Sequence, residues 1–249
     1  MQRFKTETVR RVFPGLFTVA NSYCGFLSVI YAIDGNYLTA AWLIILAAVM
    51  DGIDGMVARI TRGYSRFGVE LDSLADIISF GLAPSVLLYT LYFHQMGKVG
   101  VVISFLPLLC GGIRLARFNI MFTGYEKENY VGLPIPMQAI TLSSFIIFNF
   151  DIWNDLKLPQ GLIPMIMFLS LLMISTIEYE SLPKFTLRKD TKNLVKLVIF
   201  LLASLTIMLF PRLAIFPFIF IFVLHGVVRW GWHLLHHEED EVVDIPISD

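Results

Sequence analysis

Cysteine is nearly absent from the 249 residues: only Cys24 and Cys110 occur, each inside an apolar run. Two isolated thiols exclude a disulfide framework and a thiolate metal cluster, and they read as small buried hydrophobes. Charge is scarce too, at 16% of residues, against about 25% in an ordinary soluble domain. Nineteen Lys+Arg balance 20 Asp+Glu to a formal net charge of -1, which leaves no global field to draw in a nucleic acid. No segment repeats at a fixed period and no low-complexity linker breaks the chain, so a solenoid is excluded and one membrane domain is expected.

What the chain has in abundance is apolar surface. Hydrophobic residues make up 56% and aromatics 14%, with a mean hydropathy of +0.71, and that composition rules out a soluble globular protein. A helix needs about 20 mainly apolar residues to cross about 30 Å of hydrocarbon. Eight such stretches are expected, at about 16–33, 38–57, 67–93, 99–118, 133–150, 161–177, 194–210 and 214–232. The fold class is therefore all-α, a polytopic membrane helix bundle. Basic residues precede the first stretch as in a signal peptide, but no small-residue cleavage site closes it, so a retained first helix is expected.

Eight spans put sixteen of the 19 basic residues on one side of the membrane, leaving only Lys98, Lys157 and Arg212 on the other. The positive-inside rule then places both termini in the cytoplasm. Residues 1–237 form the membrane domain, and 238–249 read as a short acidic cytoplasmic tail, with His236 and His237 beside it.

Against this apolar background stand four carboxylates that a membrane span does not need. The second span ends in Asp51-x2-Asp54-Gly55-x2-Ala58-Arg59, and the third begins Gly68-x3-Asp72-x3-Asp76. At 100° per residue the first set falls within an arc of about 140°, and the second within about 80°. The short basic connection predicts antiparallel neighbours whose acidic stripes meet at one depth, one to two turns below the cytoplasmic surface. Each buried Asp costs about 2.5 to 3.5 kcal/mol, and two carboxylates about 5 Å apart repel by about 3 kcal/mol at an effective dielectric of about 20. Arg59 can neutralise one of them, not four. Oxygen-only ligation suits Mg²⁺, Mn²⁺ or Ca²⁺, and two ions sharing bridging carboxylates would account for all four Asp. Gly55, Ala58 and Gly68 on the same faces either let the helices pack closely or leave a cavity, and a cavity beside a metal points to a phosphate ligand.

The eight-position string, Asp51 through Asp76, resembles the signature of the CDP-alcohol phosphotransferase family. The resemblance implies integral membrane enzymes that displace CMP from a CDP-linked lipid or alcohol with a hydroxyl nucleophile, using divalent metal. It implies that Asp51, Asp54, Asp72 and Asp76 hold two ions, and that Asp76 is also the general base. By the same resemblance Asp54, Gly55, Ala58, Arg59 and Gly68 accommodate the CDP-lipid, and the protein is a homodimer.

The stretch from Glu70 to Pro84, with Ile77 rather than Lys after the fourth Asp, resembles the phosphatidylserine synthase branch. So do Cys110-Gly-Gly-Ile-Arg114-Leu-Ala-Arg117-Phe118-Asn119 and Gly132-Leu-Pro134. The first span departs from the family's frequent Pro-Asn pair, with Gly15 after Pro14, while Thr18 and Asn21 are within reach of a nucleotide. Arg114 and Arg117, at i and i+3, form a basic pair suited to a carboxylate or phosphate, with Asn119 beside them; anchoring by snorkelling is the plainer alternative.

The expected reaction is transfer of a phosphatidyl group from CDP-diacylglycerol to L-serine, releasing CMP in a prokaryotic cytoplasmic membrane. The open alternatives are another acceptor alcohol, an archaeal CDP-lipid donor, a divalent cation transporter and a non-catalytic scaffold.

Overall fold

The computed structural model describes residues 2–61, 66–121, 129–157, 159–180 and 204–236. Helix α1 spans Gln2–Ile33 and α2 spans Tyr37–Thr61. Between them Asp34-Gly35-Asn36 makes a tight reversal. Gly35 takes φ 78°, its N–H reaches the Ala32 carbonyl at 3.2 Å, and that of Asn36 reaches Tyr31 at 2.8 Å. This left-handed glycine cap satisfies the last carbonyls of α1. The two helices pack along their length through Ala32, Ala40, Ala41 and Ala47, all fully buried. Small side chains permit that close approach, and Ser28 adds a hydroxyl bond to the Ala40 carbonyl at 2.9 Å.

The third passage is one helix in three registers: α3 at Arg66–Asp76, a π-helical segment at Ile77–Leu82, and α4 at Ala83–Leu91. Pro84 supplies the reason. It has no N–H to give to the carbonyl of Phe80, four residues back, and the N–H of Ala83 bonds instead to Ile78, five residues back. A π turn is the register that accommodates this. A 3-10 turn, Phe93–Met96, leads into α5 at Gly97–Met121.

After α5 come strand β1 at Asn129–Val131, α6 at Ile135–Trp153, α7 at Pro159–Ile174 and strand β2 at Glu178–Glu180. The strands pair antiparallel, Tyr130 opposite Tyr179. This small ribbon was not legible in the sequence. The last helix, α8, covers Pro211–His236. Helix α6 is the hub, packed against α2, α5, α7, α8 and the π segment. It buries Ile135, Ala139, Leu142, Ile146 and Ile147 almost completely. Arg212 of α8 pairs with Asp151 of α6 at 3.2 Å, and Phe216 packs edge-on against Phe145.

Six of the described passages are long and apolar enough to cross a membrane: Gly15–Ile33, Tyr37–Ile60, Phe67–Leu91, Phe93–Ile120, Ile135–Trp153 and Pro211–Trp232. They coincide with six of the eight stretches expected. The expected span at 161–177 is realised as α7, apolar but only 16 residues long. The one at 194–210 lies mostly outside the described residues, although 204–209 are helical. The acidic tail at 238–249 also lies outside them. The described residues form an all-helical bundle apart from the ribbon, and its outer surface is rich in exposed apolar residues such as Leu171, Ile221 and Val228.

Candidate active site

Helix α1 occupies the place where α2 and α3 were expected to meet. It packs against both, whereas α2 and α3 scarcely touch each other; α2 meets the third passage deeper down, at the π segment and α4. The acidic ends of α2 and α3 thus stand apart across a cleft, and their carboxylates reach over it. Connection length dictates that two helices run antiparallel, but not whether a third wedges between them.

Carboxylate oxygens of Asp51, Asp72 and Asp76 lie within 4.8 Å of one another. Asp51 and Asp72 are partly buried and Asp76 is buried. Asp54 stands outside that triplet, buried, with its Oδ2 accepting the Thr18 hydroxyl of α1 and its Oδ1 buried without a partner. Like charge acts between Asp51 and Asp54 on α2, and from both of them on Asp72; Asp51 and Asp72 in turn act on Asp76. Three converging oxygens and the unpartnered Oδ1 of a fourth carboxylate fit a hard divalent ion, because no thiolate or imidazole competes in the donor set.

Gly55, Ala58 and Gly68 are partly buried, and a Cβ on Gly55 would find no atom within 4 Å. Arg59, in the last turn of α2, is exposed at the mouth.

The basic pair on α5 divides. Arg114 is buried, 6% exposed, and its charge acts on Asp76. Arg117 turns the other way and donates to the last carbonyls of α7: Ile174 at 2.9 Å, Ser175 at 3.1 Å and Met173 at 3.4 Å. There it caps the helix end, where a cation and N–H donors complement unsatisfied carbonyls. Asn119 is partly buried and donates to Ser73 of α3 at 3.1 Å, next to Asp72. Of the three α5 residues expected near the acceptor, Arg114 and Asn119 thus lie against the acidic helix and Arg117 against α7.

The sequence has Thr18 and Asn21 within reach of a nucleotide; in the structure their side chains donate to carboxylates. Asn21 donates to Asp76 at 3.4 Å, and its backbone carbonyl accepts the Ser79 hydroxyl at 2.9 Å. Ser79 and Gly25 were missed altogether. The available signal was polar and small residues spaced at i, i+3 and i+7 in an otherwise apolar first span, Thr18, Asn21 and Gly25.

The profile of the CDP-alcohol phosphatidyltransferase family matches residues 11–176, from α1 to the end of α7. A CDP-diacylglycerol–serine O-phosphatidyltransferase of Helicobacter pylori (strain J99) is 36% identical over 224 residues, 88% of this chain and 91% of the relative. An archaetidylserine synthase of Methanothermobacter thermautotrophicus is 39% identical over 168 residues, 67% of this chain and 68% of the relative. A CDP-diacylglycerol–serine O-phosphatidyltransferase of Methanocaldococcus jannaschii is 32% identical over 212 residues, 84% of this chain and 93% of the relative. With its acidic string intact and most of its length matched, the chain belongs to the CDP-alcohol phosphatidyltransferase family.

Proposed function

We propose that this integral membrane protein transfers the phosphatidyl group of CDP-diacylglycerol to the hydroxyl of L-serine, giving phosphatidylserine and CMP. The observation that carries the reading is the convergence of Asp51, Asp72 and Asp76 on one point of an otherwise apolar helix bundle. Asp51, Asp54, Asp72 and Asp76 would hold one or two divalent ions, Mg²⁺ or Mn²⁺, which when bound neutralise the diphosphate and the departing CMP.

The chain's own residues do the rest. Gly55, Ala58 and Gly68 leave room for the cytidine diphosphate, and Arg59 meets its phosphates at the mouth. Asp76 takes the proton of the serine hydroxyl as the new oxygen–phosphorus bond forms and the phosphorus–oxygen bond to CMP breaks; a carboxylate in hydrogen-bond reach is the base that an alcohol of high pKa needs. Arg114, buried beside Asp76, is placed to hold the serine carboxylate while its hydroxyl reaches that base. Asn119 and Ser73 support the wall next to Asp72. The acyl chains enter sideways from the bilayer, and serine comes from the cytoplasm of a prokaryotic cell, where the positive-inside bias puts this end of the bundle and both termini. The enzyme works as a homodimer.

The archaetidylserine synthase among the relatives favours one second reading, an ether-linked CDP-lipid donor with the same acceptor. A transporter is disfavoured because its ion sites belong near the midplane between repeats, whereas these Asp sit at one end of α2 and α3.

Purified protein given CDP-diacylglycerol, Mn²⁺ and serine, glycerol 3-phosphate or inositol in parallel tests the reading. Serine alone should support CMP release, and Asp76→Asn should abolish it. Release with glycerol 3-phosphate or inositol instead would overturn serine as the acceptor, and a preference for CDP-archaeol would move the donor to the ether lipid.

A further inference from the structure

We infer that α1 is the positioning element of the metal centre, with Thr18 and Asn21 orienting Asp54 and Asp76. The inference rests on the metal reading above and extends it to residues outside the eight-position string. Thr18 and Asn21 lie three residues apart on one face of α1. Both are buried, Thr18 at 3% exposure and Asn21 at 0%. The Thr18 hydroxyl donates to Oδ2 of Asp54, and Asn21 Nδ2 donates to Oδ1 of Asp76 at 3.4 Å. One donor from a single helix is thus spent on a carboxylate from each side of the cleft.

Asn21 is itself fixed. Its carbonyl accepts the Ser79 hydroxyl at 2.9 Å, and Ser79 belongs to the π segment that Pro84 imposes. One turn further along α1, Gly25 meets the same serine so closely that an added Cβ would stand 2.7 Å from the Ser79 Cα. The π turn, Ser79, Gly25 and Asn21 therefore form one contiguous set of contacts ending on Asp76.

Two orphaned atoms belong to the residues so held. Oδ1 of Asp54 and Oδ1 of Asn21 are both buried without a partner. An unpartnered buried oxygen is costly, and each is satisfied if a cation or a ligand donor occupies the cleft. Thr18 orients Asp54 so that its second oxygen is the one left over. Asn21 holds Oδ1 of Asp76 and keeps its own oxygen for a hydroxyl or ammonium donor. Outer partners that orient metal-binding carboxylates are worth about 10- to 100-fold in metal affinity or activity when removed.

The test is Mn²⁺ binding to the full-length protein in detergent, read from the electron paramagnetic resonance of free Mn²⁺ without substrate, with thermal stability measured alongside. Thr18→Val keeps the shape and removes the hydroxyl; Thr18→Ser restores it; Asn21→Ala gives the same reading from the second residue should Thr18→Val fail to fold. The expected result is a Kd raised about tenfold or more in Thr18→Val and Asn21→Ala, near wild-type binding in Thr18→Ser, and melting temperatures that do not track these losses. Wild-type Mn²⁺ affinity in Thr18→Val and Asn21→Ala, with binding still lost in Asp51→Asn, would overturn the role of α1 and leave the metal reading standing. A wild-type protein that binds no Mn²⁺ at all would overturn both.

Discussion

Two arginines one turn apart on α5 do different work, and their variants should separate cleanly. Arg114 is buried against Asp76, so Arg114→Lys, which keeps the charge and loses the fork, should raise the KM for serine about tenfold or more, with little change in the KM for CDP-diacylglycerol. Steady-state kinetics with each substrate varied in turn checks this. Arg117 caps α7, and charge-assisted bonds of this kind are worth about 1.5 to 3 kcal/mol. Arg117→Ala should therefore lower the melting temperature in detergent while turnover at a permissive temperature stays within a few-fold of wild type. The sequence showed a basic pair and its spacing. It could not show the division, because long flexible side chains about 60° apart on a helix reach different neighbours depending on what packs there. The four carboxylates were legible for the opposite reason: their cost in a membrane span marks them as functional whatever packs around them.

Elements set the orientation of these residues. Pro84 forces the π register that follows Asp76, and Pro84→Ala would return an N–H to Phe80 and allow an ordinary α turn. The expected outcome is a protein at least as stable, with CMP release reduced more than tenfold as the third passage rotates Ser79 away from Asn21. Thermal melting and turnover on the same preparation decide it. Gly132 holds φ 79° beside the α7 end, where a Cβ would come within 2.5 Å of the Met173 carbonyl and 2.9 Å of Arg117. Gly132→Ala should cost about 1 to 3 kcal/mol, measurable as a lower midpoint of unfolding. Helix positions were readable because length and apolarity alone identify a span. The ribbon was not, since three-residue strands pair only where α5 and α7 bring Gly132 to the Ile177 carbonyl, at 2.8 Å. The splay of α2 from α3 was hidden as well, because nothing in a connection records that α1 lies between the helices it joins.

At the scale of the whole molecule, apolar helices carry an acidic cleft at one end, and the basic bias predicts that this end faces the cytoplasm. The native thiols Cys24 and Cys110 are buried, so single cysteines introduced at Lys98 and Arg59 should label from opposite sides of sealed cells and inverted vesicles, Arg59→Cys from the cytoplasmic side. Accessibility of both from one side would contradict the orientation and with it the cytoplasmic entry of serine. The central claim is the transfer itself. It is tested most directly by supplying radiolabelled serine with CDP-diacylglycerol and Mn²⁺, and counting label in the lipid phase against CMP released. The account requires one serine in lipid for each CMP, with both lost in Asp76→Asn. CMP released without label entering lipid, or Mn²⁺ carried into sealed vesicles with no CMP formed, would contradict it.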